Sequence, residues 1–350
     1  MTTLTVPAAP GHDAGLRPVP WRRMAWVTWR QHRLTLASVA ALFAVAAVYL
    51  LVTGLQMRDA YAAVTACRPA GSSTCQQVAH NFLNAHVHGV LVTAGLIQVI
   101  PALIGAFAGA PVLAREFEAG TFRFAWTQGF GRARWTVAKL VPLAVAVTVA
   151  AGVFSVLFSW YYQPIFGAGS GDSPPFAPTI FDLRGVALAA WTLAAFAIGA
   201  LAGVLIRRVI PAMFATLAVW AGLAYLTGAF LRRHYEAPLI TTNPTVTTPA
   251  WVFSSVWIQG GRPASLSMIN QTLGPVGVHS PYPDVFESYR PIPASFDPVH
   301  YLTHHGFELL TTYQPASRFW PFQLIEGGWL LALSLLLGAA TVWLVRRRAS

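Results

Sequence analysis

Charged residues are scarce in this chain of 350 residues: only 10% are Asp, Glu, Lys or Arg, whereas 55% are hydrophobic. Soluble globular domains carry about 25% charged residues, so the composition excludes an ordinary soluble protein. Six segments are long and apolar enough to cross the ~30 Å hydrocarbon core of a bilayer. They are Leu34–Leu55, Gly89–Leu113, Leu140–Tyr162, Val186–Ile206, Val209–Leu231 and Leu324–Val345. Because lipid cannot satisfy backbone hydrogen bonds, the sequence predicts an all-α polytopic membrane protein with six transmembrane helices.

Lysine is almost absent, and this excludes one way of binding nucleotides. Lys139 is the only lysine, and Leu140 follows it. A P-loop requires a glycine-rich loop that ends in Lys followed by Ser or Thr. The chain therefore cannot bind ATP through a P-loop of its own, and we expect it to hold no cofactor and no catalytic residues.

Ionisable side chains are also missing near the middle of every predicted span. Carriers driven by protons or sodium, and many channels, need ionisable groups at that depth. The pattern therefore disfavours ion-driven transport and predicts a helix bundle without buried charges.

The net charge of +11 could suggest nucleic acid as a partner, but the basic residues follow membrane topology instead. Fifteen of the 23 lie before the first span, in the second connection, at Arg207 and Arg208, or after the last span. The opposite short connections hold only Arg58, Arg68 and Arg184. Because cytoplasmic loops carry the excess of basic residues, we expect both termini in the cytoplasm and no nucleic acid as a partner.

Only two cysteines are present, Cys67 and Cys75, and both lie in the first predicted external loop. An oxidising exterior and a short loop rich in Pro, Gly and Ser favour a structural disulfide between them. The alternative is two unpaired thiols.

The segments outside the spans differ in composition. Residues 1–20 are rich in Pro, Ala and Gly and predict a disordered cytoplasmic tail. Residues 21–33 alternate aromatic and basic side chains, which suits an interfacial amphipathic helix; a simple basic anchor with an aromatic belt is the alternative. Residues 232–322 contain β-like runs such as Thr245–Ile258 and predict a compact extracytoplasmic domain of mixed structure. Its expected core residues are Trp251, Phe253, Trp257, Phe286, Tyr301 and Phe307. Residues 323–350 complete the chain with the sixth span and a basic cytoplasmic tail.

Small residues recur four positions apart inside two spans and predict close helix contacts. They are Gly105 and Gly109 in the second span, and Ala195, Gly199 and Gly203 in the fourth. A dimer interface is the alternative use of these positions.

Two polar residues within the spans have two interpretations each. Gln98, with Pro101, could form a locally satisfied kink or offer a polar contact to a substrate. Glu326, near the start of the last span, could favour the positive end of the helix dipole or serve as a gate or substrate contact.

One weak candidate for metal chemistry lies at His300, His304 and Glu308. A continuous helix would place these side chains along one face at a spacing compatible with zinc. Gly306 and the nearby prolines argue against such a helix, so ordinary loop histidines are the preferred interpretation and we expect no metal site.

The most informative segment is the charged loop at residues 114–139, which is wedged between two long apolar runs. Three groups of residues resemble the membrane subunits of ATP-binding-cassette exporters of the type 2 permease class, especially six-span actinobacterial members. They are Trp26-Val-Thr-Trp-Arg-Gln-His-Arg33, the run Ala114-Arg-Glu-Phe-Glu-Ala-Gly-Thr121 with Trp126-Thr-Gln128, Arg134-Trp135 and Lys139, and Arg318-Phe-Trp-Pro-Phe-Gln323 with Glu326. The resemblance covers most of the chain, and the middle group is the most specific.

The resemblance implies a coupling element that rests in a groove of a separate ATPase, which would bind the ATP. That element would contain Arg115, Glu116, Glu118, Gly120 and Thr121. The two carboxylates could pair with basic groups on the ATPase, and Gly120 permits a sharp turn. A solvated charged loop is the alternative interpretation.

The implied protein is a permease subunit in a bacterial plasma membrane that exports a hydrophobic or amphipathic substrate. A second permease subunit, identical or not, would complete the pathway within the lipid bilayer. The alternatives are a membrane sensor or scaffold, and a membrane-bound metal-dependent enzyme that uses the external histidines.

Overall fold

The computed structural model describes residues 21–69, 72–120, 131–169, 178–242, 250–282, 285–288 and 296–347. The tail expected at residues 1–20 lies outside the described residues, as do Thr121 and the rest of the loop up to residue 130.

Among the described residues, six helices are long and apolar enough to cross a membrane, which confirms the predicted fold class. Spans 1, 3, 4 and 6 are the helices Trp21–Ala66, Arg132–Gly167, Ala187–Ile206 and Phe319–Arg347. Span 2 consists of Ser73–Ile97, Ile100–Ile104, the π-helix Gly105–Gly109 and Pro111–Glu118. Span 5 consists of Val209–Leu226 and the π-helix Thr227–Leu231, followed by a 3₁₀ turn at Arg232–His234. Each predicted apolar segment lies within one of these spans or differs from it by one residue.

Span 1 differs from its prediction in one respect. Residues 21–33 were predicted as a separate interfacial helix, but they form the first turns of a single helix of 46 residues. At 1.5 Å per residue this helix is about 69 Å long and therefore exceeds the thickness of a bilayer.

Span 2 is broken at the position where Gln98 and Pro101 suggested a kink. Its first helix ends at Ile97, and the next one begins at Ile100 with Pro101 in its first turn. Proline has no N–H to donate to the preceding turn, so a helix break at this position is expected. The π-helix that follows ends just before Pro111.

The small residues of spans 2 and 4 pack against each other inside the chain. A Cβ atom added to Gly199 would lie 2.2 Å from the carbonyl oxygen of Gly105, and one added to Gly109 would lie 2.6 Å from that of Phe196. A Cβ on Gly203 would lie 2.5 Å from the oxygen of Ala110. Glycine is required here because the two backbones are in contact. These positions form an interface within the chain, which leaves no room for a dimer contact.

A mixed domain, the sheet domain at residues 235–318, connects spans 5 and 6. Its strands are β1 Leu239–Thr241, β2 Ala250–Gln259, β3 Arg262–Pro263, β4 Val278–Tyr282, β5 Val285–Ser288 and β6 Phe307–Pro315. Four of them form an antiparallel sheet in the order β1-β6-β2-β3, and β4 pairs with β5. Short helices at Leu266–Leu273 and Pro298–His304 cover the sheet.

Two of the six aromatic residues that the sequence suggested for the core of this domain are buried there. Trp257 and Phe307 lie in the core with Leu302, and Tyr301 packs against it. Trp251 instead packs against an aromatic cluster of the helix bundle, and Phe253 contacts Trp251 with ring centroids 4.7 Å apart. The side chain of Phe286 lies outside the described part of the structure.

Because the chain crosses the bundle six times, its connections alternate between two ends. We call the end that carries the charged loop at residues 114–139 and residues 207–208 the loop end. The opposite end, which carries residues 178–186 and the sheet domain, is called the sheet end.

Candidate functional site

At the loop end, the predicted coupling residues lie at the end of span 2 and just beyond it. Arg115 and Glu118 are exposed, whereas Glu116 is half-buried. Gly120 adopts a φ of +70°, a left-handed conformation that glycine adopts without strain, so the sharp turn expected at this residue is present. The chain then enters the part of the loop that the structure does not describe, where Thr121 lies.

Glu116 is bound within the chain. Its carboxylate forms an ion pair with Lys139, the single lysine, whose side chain is only 5% exposed. The Lys139 ammonium also lies 4.4 Å from the centre of the Trp135 ring. The hydroxyl of Thr28 donates to the carbonyl of Ala138 at 3.2 Å. The start of span 3 is therefore held to the end of span 2 and to span 1.

Glu118 binds the beginning of span 5. Its Oε2 accepts a hydrogen bond from the backbone N–H of Val209 at 3.0 Å. Val209 is the first residue of that helix, and the preceding residue, Arg208, forms no side-chain cap. A carboxylate at this point satisfies a free N–H group and interacts favourably with the positive end of the helix dipole. The end of span 2 is thus joined to the beginning of span 5.

These contacts change the roles expected for the two carboxylates. The resemblance implies that both could pair with basic groups on an ATPase, and in this structure both bind groups of their own chain. Arg115 is exposed and forms no hydrogen bond or ion pair among the described residues, so it is the charged group of this element that remains open to a partner.

At the sheet end, three charged side chains meet inside the protein. Arg232 and Glu326 are fully buried, and the side chain of Asp182 is 11% exposed. The Arg232 Nε donates to Glu326 Oε2 at 3.0 Å, and its Nη2 donates to Glu326 Oε1 at 2.8 Å. The same Nη2 also donates to Asp182. This group, the buried charge cluster, joins span 5, span 6 and the connection before span 4.

Aromatic donors complete the coordination of Glu326. The indole N–H of Trp191 donates to Glu326 Oε1 at 2.9 Å, and the hydroxyl of Tyr235 donates to Oε2 at 3.1 Å. Trp329 donates in turn to the Tyr235 oxygen at 3.0 Å. The Arg232 guanidinium lies 4.2 Å from the centre of the Phe181 ring. Each oxygen of Glu326 therefore accepts two hydrogen bonds, as a buried carboxylate requires.

Asp182 connects the cluster to span 2. Its Oδ2 accepts a hydrogen bond from the Gln98 amide at 2.8 Å, so the polar group at the break in span 2 is bound to another part of the chain. Burial raises the pKa of Asp182 above its ordinary value, and the Arg232 guanidinium opposes this shift. Burial also raises the pKa of Tyr235, with a further contribution from Glu326.

Gln323 fixes the position of the connection that carries Asp182. Its fully buried amide accepts a hydrogen bond from the Ala187 N–H at 2.9 Å and donates to the Phe181 carbonyl at 3.0 Å. The motif at residues 318–326 thus holds span 6 against the beginning of span 4.

The buried charge cluster overturns two expectations. The prediction of a bundle without buried charges is wrong, because ionisable residues lie buried near both ends of the spans, although not at their middles. The dipole interpretation of Glu326 is also wrong. The helix begins at Phe319, so Glu326 lies two turns inside it, beyond the first turn in which the dipole acts.

The residues that surround Glu326 and Arg232 were not predicted from the sequence. Asp182, Arg232, Trp191, Tyr235 and Gln323 received no role, because they lie in four different segments of the chain. One signal in the sequence could have paired Arg232 with Glu326. Arg232 directly follows span 5 and Glu326 lies near the start of span 6, so both occur at a similar depth in the membrane.

Other predicted sites have local roles. Cys67 and Cys75 form a disulfide that closes the connection between spans 1 and 2. The imidazole Nε2 atoms of His300 and His304 lie 3.1 Å apart on one helix, but that helix ends before Gly306 and Glu308 belongs to β6. Within the described ranges, no group of three or more His, Cys, Asp or Glu residues could hold a metal ion.

Among the clefts lined by described residues, three lie on the sides of the bundle. The loop-end cleft, of about 480 Å³, lies between spans 3, 4 and 6 and includes Arg346 in its lining. The span 5 cleft, of about 560 Å³, lies between spans 4, 5 and 6 and is lined by Ala, Gly, Ile, Leu and Val alone. The sheet-end cleft, of about 550 Å³, lies between spans 2 and 5 and includes Gln98, Asp182 and Arg233. Gln98 therefore lines a cleft, while Glu326 is enclosed by its partners.

Comparison with known proteins assigns the part of the chain from span 1 to Arg232 to a family. Residues 40–232, more than half of the chain, match the family described as ABC-2 membrane transporter related. No curated protein and no solved structure matches the chain. The match begins in span 1 and ends at Arg232, so it includes the charged loop at residues 114–139 and the spans that it joins. The chain belongs to the ABC-2 membrane transporter related family.

Proposed function

We propose that the chain is the permease subunit of an ATP-binding-cassette exporter and that a separate subunit binds and hydrolyses the ATP. Family membership supports the transport role. The single lysine, followed by leucine, supports an ATPase outside this chain, because a P-loop needs Lys before Ser or Thr. On this proposal the chain itself is not an enzyme.

The hydrogen bond between Glu118 and Val209 is the contact through which we propose that ATPase movement reaches the helix bundle. A partner that binds the loop at residues 114–139 would move Glu118, and Glu118 is joined to the first residue of span 5 at 3.0 Å. The same loop is joined to span 3 through Glu116 and Lys139. ATP binding and hydrolysis in the partner would therefore act on two helices through short, charged contacts.

Span 5 is suited to move. Only 11% of its most apolar stretch is buried within the chain, against 61% for span 4. Its far end is held by Arg232, and the π-helix Thr227–Leu231 lies just before that point. Short π-helices frequently occur at functional positions of helices. A displacement at the loop end would tilt span 5 about the buried charge cluster and change the width of the clefts beside it.

A second permease subunit would complete the pathway. Spans 1 and 5 both have only 11% of their most apolar stretch buried, so one chain leaves their faces open to lipid or to a partner. The clefts of this chain are mainly apolar, which suits a hydrophobic or amphipathic substrate. The loop end would face the cytoplasm and the sheet domain the outside of a bacterial plasma membrane.

Charge reversal at Arg115 tests the proposal. The full-length protein is co-expressed with each ATP-binding-cassette ATPase of its genome and purified in mild detergent. We expect one ATPase to co-purify with the wild type and at least ten-fold less of it with Arg115→Glu. The matched control is Arg262→Glu, because Arg262 is exposed on the sheet domain at the opposite end.

Two results would contradict the proposal. One is that no ATPase co-purifies with the wild-type protein. The other is that Arg115→Glu and Arg262→Glu retain the ATPase equally well, because the loop end would then not be the docking element.

A further inference from the structure

The loop-end cleft has apolar walls and a single charged residue at its mouth. Its sides are formed by residues such as Val141 and Phe196, and small residues such as Gly338 and Ala339 make room between spans 3, 4 and 6. Its volume of about 480 Å³ lies within the range of about 300–1,000 Å³ that is typical of small-molecule sites. The cleft can therefore hold a slender apolar group.

The length of the cleft matches one leaflet of a bilayer. Along span 6 its lining runs from Ser334 to Arg346, and these twelve residue steps rise about 18 Å at 1.5 Å per residue. Half of the ~30 Å hydrocarbon core is about 15 Å. An acyl chain that lies in the cleft would thus place its headgroup beside Arg346.

The mouth of the cleft is positively charged. Arg346 is exposed, and its guanidinium has no partner among the described residues. Nη1 of Arg132 donates to the backbone oxygen of Arg346 at 3.4 Å, which places a second guanidinium nearby. Arg347 lies 4.5 Å from the centre of the Trp343 ring, and Trp343 also lines the cleft.

Among the described residues of the loop end, the carboxylates of Glu116 and Glu118 are already bound and do not neutralise this mouth. Glu116 is paired with Lys139, and Glu118 is bound to the start of span 5. The basic mouth is therefore open to an anion from outside the chain, and an anionic headgroup carries the charge that it lacks.

The span 5 cleft provides an internal comparison. It has a similar volume, about 560 Å³, but its lining contains no charged or polar side chain. Ordinary membrane lipid can fill both clefts. Only the loop-end cleft has a charged side chain, Arg346, that would favour a charged headgroup. We propose that the loop-end cleft binds an acidic membrane lipid, with one acyl chain between spans 3, 4 and 6 and the headgroup on Arg346.

Lipid titration of the purified full-length protein, followed by native mass spectrometry, tests the headgroup. The probes are phosphatidylglycerol and phosphatidylcholine with identical acyl chains. We expect tighter binding of phosphatidylglycerol, and we expect Arg346→Gln to weaken it about five-fold, since one Arg near a lipid surface contributes about that factor. Binding of phosphatidylcholine should not change. Arg33→Gln is the control, because it removes one exposed arginine from the same end but outside the cleft.

Two matched glycine substitutions test the position of the acyl chain. Gly338 lines the loop-end cleft and Gly222 lines the span 5 cleft, and an added Cβ meets no other atom within 4 Å at either position. Gly338→Leu should weaken phosphatidylglycerol binding at least five-fold, whereas Gly222→Leu should leave it unchanged. Ala339→Leu in the same cleft serves as a second variant if Gly338→Leu does not fold.

The proposal is overturned if Arg346→Gln and Arg33→Gln weaken phosphatidylglycerol binding equally, because the preference would then be a property of the whole basic surface. It is also overturned if the variant that fills the cleft and folds binds phosphatidylglycerol as the wild type does, or if the wild type binds both lipids equally. These measurements need no ATPase, so they stand apart from the test of the exporter proposal.

Discussion

At the sheet end, Arg232 and Glu326 are fully buried and held by two direct hydrogen bonds and two aromatic donors. At the loop end, Lys139 is 5% exposed and Glu116 is 21% exposed, and Glu118 is exposed to solvent. The charged contacts of the loop end are therefore more accessible to water than those of the sheet end. Since breaking a buried ion pair costs far more than breaking an exposed one, the contacts of the sheet end resist separation more strongly than those of the loop end.

The largest expected loss of stability follows from substitution of Glu326. Glu326→Ala would leave Arg232 buried with only Asp182 as its acidic partner and would remove the acceptor of Trp191 and Tyr235. We expect a loss of about 3 kcal/mol in the free energy of unfolding, at the lower end of the range for broken buried pairs because Asp182 remains. Denaturant unfolding in detergent measures it. The control is Glu308→Ala, because Glu308 is an exposed glutamate of the sheet domain and its loss should change stability by less than about 0.5 kcal/mol.

A double variant shows whether the loss of stability comes from an unpaired charge or from lost packing. Arg232→Met with Glu326→Leu removes both charges and should recover most of the stability, since apolar replacements of buried pairs are often neutral. If the double variant were as unstable as Glu326→Ala, the loss would come from packing and not from an unpaired charge.

The next largest loss of stability is expected at the contact between spans 2 and 4. Gly199→Ala places a Cβ 2.2 Å from the Gly105 oxygen, so spans 2 and 4 must separate. We expect a loss of about 2 kcal/mol from overpacking, seen as a lower midpoint in denaturant unfolding. Gly152→Ala in span 3 is the matched control, because the added methyl group meets no atom within 4 Å and alanine favours a helix. Equal midpoints for the two variants would show that the spans are not in backbone contact.

Substitution of Lys139 is expected to reduce stability as much as Gly199→Ala or less. Lys139→Met leaves the Glu116 carboxylate without its partner, but that carboxylate is 21% exposed and retains access to water. We expect a loss of about 2 kcal/mol or less in the free energy of unfolding, measured by the same method. Lys139→Met combined with Glu116→Gln should recover most of it. A loss in the double variant as large as in Lys139→Met would mean that Lys139 acts through Trp135 and not through Glu116.

The smallest effect on stability is expected at Glu118. Glu118→Ala removes the capping carboxylate of span 5 and should cost about 1 kcal/mol, as the loss of other helix caps does. Glu118→Gln retains an oxygen acceptor for the Val209 N–H and should cost less. Thermal unfolding compares the two, and an effect of Glu118→Ala as large as that of Glu326→Ala would remove the difference between the two ends.

The sequence predicted the spans well because their signal is local: a run of about twenty apolar residues can satisfy its backbone in lipid only as a helix. The small residues at Gly105, Gly109 and Gly199 also predicted a close contact, because glycine in this spacing leaves a flat helix surface. The roles of Glu116 and Glu118 were not predictable in this way. Each depends on a partner more than twenty residues away, and an exposed carboxylate in a loop has the same sequence pattern whether its partner lies inside the chain or outside it.

The sequence by itself determined that this chain is a six-span helical membrane protein with one charged loop between spans 2 and 3 and no P-loop, since hydrophobic length and residue type require no knowledge of neighbours. Only the tertiary structure decided that Asp182, Arg232 and Glu326 form one buried cluster. It likewise decided that Glu118 caps span 5 and that Arg346 stands at the mouth of an apolar cleft. These contacts join residues that are distant in the chain, and their energies depend on the burial and the distances that helix packing creates.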